Sequence, residues 1–155
     1  MASDMVANLK ALQEIENGLA GVYFHLSQRK NFSPQVKKFW AVMAEEEKAH
    51  GELFGEIGER IRKDPGFVVE MEMEPVLLEI FTDQVNRLLR YVQSDTLTDK
   101  EAYSLGAFIE AELDESRYLA KITAGDPDLQ ARLKKVHLDT SRHRMILVNH
   151  SRGII

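Results

Sequence analysis

Residues 43–54 read MAEEEKAHGELF, and Met43, Glu47, His50 and Phe54 fall on one row of a helix. Their steps of four, three and four match the helical period. The row sets two ionisable side chains between two large hydrophobes. A helix whose buried stripe includes a carboxylate and an imidazole must give those groups a partner, because unpaired buried charge costs several kcal/mol, roughly. Glu47 and His50 stand three apart, under one turn, so both heads can reach one point.

The flanking sequence predicts more of the same architecture. Upstream, Ser33 caps a helix that Pro34 starts and that continues to about Arg62, where Asp64-Pro65-Gly66 stops it. Before it, Leu12, Ile15, Leu19, Val22, Tyr23 and Leu26 predict a first helix from about Asp4 to Arg29. Glu16 sits inside that stripe, between Leu12 and Leu19, with Tyr23 seven residues on and facing the same way. Downstream, residues 67–74, FVVEMEME, alternate as an extended segment does, with Val69, Met71 and Met73 on one side as packing. Pro75 begins a helix to about Val92. Thr98 and Glu101 form a capping box that opens a third long helix, with Ala102, Leu105, Ile109, Leu113 and Leu119 as its stripe and Glu112 in line with Leu105 and Leu119. Gly125-Asp126-Pro127 ends it and starts the last helix, to about Asn149, where His143 lies in the row Val136, Thr140, His143, Leu147. The expectation is an all-α, single-domain four-helix bundle over residues 1–155, with a long crossover that contains an additional helix.

Composition narrows the function. The chain has 155 residues, 44% hydrophobic and 29% charged, with a net charge of −5. That balance argues against nucleic acid as a partner, which calls for a basic face. No apolar run is long enough for a bilayer span, and the first residues lack a signal-peptide pattern, so a cytoplasmic location is expected and no membrane partner. There are no cysteines, which excludes disulfides, iron–sulfur clusters and thiolate chemistry.

The halves repeat weakly. Glu16 and His50 are 34 residues apart, and Glu112 and His143 are 31 apart. Four helices thus each place an ionisable group near mid-length on the inward face. Either cations neutralise these groups or they form a hydrogen-bonded polar core. Mixed carboxylate and imidazole donors suit iron, manganese or zinc. One Glu from each of two helices and Glu-x-x-His from each of the other two is the ligand plan of di-iron carboxylate bundles.

On these residues the chain resembles the rubrerythrin family of the ferritin-like superfamily. AEEEKAHGELF (44–54) is the most specific match, followed by DTLTDKEAYSLGAFIEAELDES (95–116) and LDTSRHRMIL (138–147). The resemblance implies a ferritin-like bundle with two iron ions per chain, manganese or zinc being possible. Its metal ligands would be Glu16, Glu47, His50, Glu112 and His143. It implies peroxide reduction or ferrous iron oxidation, with peroxide, dioxygen or ferrous iron as substrates, Tyr23 beside the centre as the catalytic candidate, and a homodimer. Thr140 departs from the pattern, which has Glu three residues before His143. Asp139 or Glu115 would be the compensating carboxylate; the alternative is that Asp139 is a solvated helix residue and Glu115 a surface ion-pair partner. The cysteine-bearing rubredoxin module is missing too, so electrons would come from a separate donor. The competing expectation is a helical protein whose degenerate site leaves it a scaffold, sensor or oligomerisation module.

Overall fold

The computed structural model describes residues 2–64, 66–93, 97–116 and 122–153. Among them the elements run α1 (Ala2–Ser27), α2 (Pro34–Lys63), β1 (Val69–Met71), α3 (Pro75–Val92), α4 (Asp99–Ser116), β2 (Ile122–Ala124) and α5 (Pro127–Ser151). The protein is predominantly helical, as the periodicities require. Each proline-led start falls where its sequence predicts: the Ser33 hydroxyl accepts from Val36 N–H, and the Asp126 carboxylate accepts from the N–H groups of Asp128 and Leu129. No helix among the described residues is long and apolar enough to cross a membrane.

The chain divides into two compact units. The first holds residues 1–67 and 73–96, hence α1, α2 and α3. Leu9, Leu12, Glu16, Leu19, Tyr23 and Leu26 form the buried seam of α1; Trp40, Met43, Glu47, His50, Phe54 and Ile57 form that of α2. Both rows step by three and four, so the helices pack along heptad-like seams. Tyr23 meets Trp40, Glu16 meets His50, and Gln13 lies against Gly55, a descending register that makes the two helices antiparallel. In contrast, α3 runs parallel with α1: Gly18 abuts Val85 and Gly21 abuts Leu89. Leu78, Phe81, Val85, Leu88 and Val92 fill its inner face.

The second unit holds residues 68–72 and 97–155. Here α4 and α5 are also antiparallel: Glu110 faces His143, and seven residues away on each helix Tyr103 stacks on His150 with centroids 4.5 Å apart. A two-stranded antiparallel ribbon completes the unit, with Val69 opposite Ala124 and Met71 opposite Ile122. Val69 is buried and Glu70 exposed, the expected alternation. The expectation that the third long helix continues to Gly125 is corrected: α4 is described over Asp99–Ser116, and Ile122-Thr123-Ala124 is a strand. Two β-branched residues and a partner strand that takes up their backbone groups favour the extended form there. Leu119, expected in that helix's stripe, lies outside the described residues.

Candidate metal centre

In the first unit, Glu16, Glu47 and His50 are 1, 2 and 4% exposed and converge. His50 Nδ1 is 3.0 Å from Glu47 Oε2 and 3.8 Å from Glu16 Oε2. The three residues can each offer a ligand atom with all these atoms within 4.8 Å of one another. Ligand atoms set about 2.1 Å from a tetrahedral ion stand about 3.4 Å apart; the 3.0 and 3.8 Å separations fall on either side of that value, the shorter being an imidazole–carboxylate hydrogen bond. Helix geometry explains the convergence: Glu16 lies mid-seam on α1, and α2 brings Glu47 and His50 to the same level one turn apart.

The electrostatics are those of a crowded anionic pocket. Burial pushes the Glu16 carboxyl up to about 7 from 4.5, the neighbouring Glu47 carboxylate adding to the rise and His50 opposing it. For His50, burial alone would lower the imidazole, but the Glu16 and Glu47 carboxylates outweigh it and hold it up to about 11 from 6.5. A proton on Nδ1 therefore occupies the place between imidazole and carboxylates that a cation would take.

In the second unit, His143 is fully buried and Glu110 is 1% exposed, with Nδ1 3.8 Å from Glu110 Oε1. Arg142 reaches His143 Nε2 at 3.4 Å. A guanidinium can only donate, so Nε2 accepts and the ring proton belongs on Nδ1, facing Glu110. The carboxylate on α4 is thus Glu110, not Glu112, which is half-buried. The shift has a physical origin. Ala102, Tyr103, Gly106, Ala107, Ile109 and Glu110 make the buried arc, whereas Leu105 is only partly covered and Phe108 is 58% exposed. The small residues Ala102, Gly106 and Ala107 give that arc little hydrophobic bulk, so a pattern of large hydrophobes does not trace it. The internal repeat did carry the signal: Glu110 to His143 is 33 residues, within one of the 34 from Glu16 to His50.

The other predicted residues distribute as follows. Tyr23 is fully buried on the α1 seam, its ring 5.3 Å from that of Trp40. Thr140 is buried on the α5 row, and its hydroxyl donates back to the Val136 carbonyl at 3.2 Å. Asp139 pairs with Lys135 and Arg142 at the helix edge. The side chain of Glu115 lies outside the described residues. No protein-family model matches the chain, and no curated protein or solved structure does.

Proposed function

We propose that this is a ferritin-like metal protein of rubrerythrin type that binds two ions, iron in the first instance and manganese or zinc as alternatives. Its activity would be peroxide reduction or ferrous iron oxidation. The observation that carries the reading is the Glu16–Glu47–His50 cluster: three buried ionisable groups with mutually close ligand atoms. The donor set fits a borderline-to-hard divalent ion, since it offers carboxylate oxygen and imidazole nitrogen and no thiolate. A bound redox-active ion would supply Lewis acidity and electrons toward a small oxidant.

The chain's own residues have separate tasks in this reading. Glu16 and Glu47 supply charge compensation and oxygen donors, and His50 supplies Nδ1 once its proton leaves. Leu12, Leu19, Met43 and Phe54, the seam residues on either side, exclude water and hold the ligands in fixed rotamers. Glu110 and His143 supply a second, leaner pair. Electrons would come from a separate donor protein. Ferrous loading of the metal-free protein under argon, followed by metal analysis, tests binding; ferrous oxidation and peroxide consumption against a buffer blank test the chemistry. Two ions per chain with turnover, both lost in Glu47→Ala, is the expected result. No metal at any loading would end the proposal.

One observation favours a second reading. Thr140 spends its hydroxyl on the Val136 carbonyl, and Asp139 is held by Lys135 and Arg142, so α5 offers His143 without a neighbouring carboxylate. In that reading only the first cluster binds an ion and the protein is a sensor or scaffold. A stoichiometry of one without turnover would favour it.

A further inference from the structure

The helix α3 carries two unlike faces. The inner one is packed against α1. On the outer one Val76, Ile80 and Tyr91 are 53, 48 and 53% exposed. At about 100° per residue these three fall within roughly 60° of one another, a narrow apolar stripe on the solvent side. Asp83 and Arg87 lie along that stripe and pair with each other at 2.6 Å. Glu79 and Arg90 flank it on one side.

The charges are ordered along the axis. Glu79 and Asp83 occupy the first half of the helix; Arg87 and Arg90 occupy the second. Such a stripe matches a copy of itself in one orientation only. In an antiparallel pair with the two-fold axis near Asp83, Val76 of each copy meets Tyr91 of the other and Ile80 lies on the Arg87 stem. Asp83 comes beside Arg87 of the second copy, and Glu79 beside Arg90, because equivalent flanks face each other across an antiparallel pair. A parallel pair would set Asp83 against Asp83 and Arg87 against Arg87, which is repulsive.

We propose that the outer face of α3 is where a second copy of this chain docks, as an isologous antiparallel α3–α3 pair. The proposal does not depend on the metal reading. A pair of 18-residue helices lies at the small end of specific interfaces, so the dimer dissociates on dilution. Its charge pairs are exposed, so added salt loosens it.

Sedimentation velocity on the full chain over a concentration series tests this. A reversible monomer–dimer equilibrium is expected, and Ile80→Glu should weaken association about tenfold or more with helicity unchanged. Asp83→Arg alone and Arg87→Asp alone should each weaken it, and an equimolar mixture of the two should restore it, because both contacts become opposite in sign again. The cysteine-free chain allows a second measurement. Val76→Cys mixed with Tyr91→Cys should cross-link under mild oxidation, and neither alone should do so. A monomer at every concentration, a dimer indifferent to Ile80→Glu, or Val76→Cys linking to itself would each overturn the proposal.

Discussion

Burial governs the protonation of the first cluster, and protonation governs what it can bind. Glu47 and His50 were legible in the sequence because Met43 and Phe54 bracket them with bulk that belongs inside. Glu110 was legible only through its 33-residue spacing to His143, because Gly106 and Ala107 mark its arc and carry little hydrophobic signal, whereas the large hydrophobes point two residues on, to Glu112. That correction makes a prediction. Glu110→Gln should lower the metal content of the second position, while Glu112→Gln should leave it within error of the parent protein. Dialysis against buffered free metal, with ions per chain read by emission spectroscopy, decides between them. Metal content unchanged in Glu110→Gln, or lost only in Glu112→Gln, would remove Glu110 from the site.

At the scale of elements, most helix starts were readable because they are made by local chemistry. The Thr98 backbone N–H and hydroxyl donate to Glu101 Oε2, each at 2.8 Å, and the Glu101 N–H returns a bond to the Thr98 hydroxyl. Those bonds hold the Glu101 carboxyl below its ordinary 4.5. A depressed carboxyl stabilises the folded state above its unfolded value and ceases to do so as pH falls through the folded one, so the first turn of α4 should fray in acid. Thr98→Ala should cost about 1 kcal/mol at neutral pH in a urea titration, and less in acid. The strand β2 was illegible for the opposite reason: three residues acquire their conformation from β1, some fifty positions away. Close helix contacts are likewise non-local. A Cβ on Gly18 would stand 2.5 Å from Val85 Cγ1, and a β-branched side chain in a helix has little freedom to turn away. Gly18→Ala, a change that favours most helices, should here destabilise by about 1–2 kcal/mol, and Val85→Ala in the same chain should recover part of the loss. Additive losses in the thermal melts would mean that the contact between α1 and α3 does not limit packing.

For the molecule as a whole, the cluster ties stability to pH in opposite senses with and without metal. Glu16 and His50 both have folded values above their ordinary ones, about 7 against 4.5 and about 11 against 6.5. In metal-free protein each therefore contributes stability that is fully present below the unfolded value and is lost as pH rises through the folded one. A cation must displace those same protons, so its affinity grows along the same axis. Metal binding to the folded state alone stabilises it by RT times the logarithm of one plus the ratio of free metal to its Kd, and the melting temperature rises accordingly. The metal-dependent rise should thus be larger at about pH 8 than at about pH 6. Zinc, which undergoes no redox change, is the suitable probe, and calorimetry in two buffers of different ionisation enthalpy should show protons released on binding. Glu47→Gln keeps an acceptor for His50 but removes a charge that helps hold His50 protonated, so it should lower the metal-free melt and cancel most of the metal-dependent rise. A rise that is flat or shrinking with pH would mean that the ion binds somewhere other than among Glu16, Glu47 and His50.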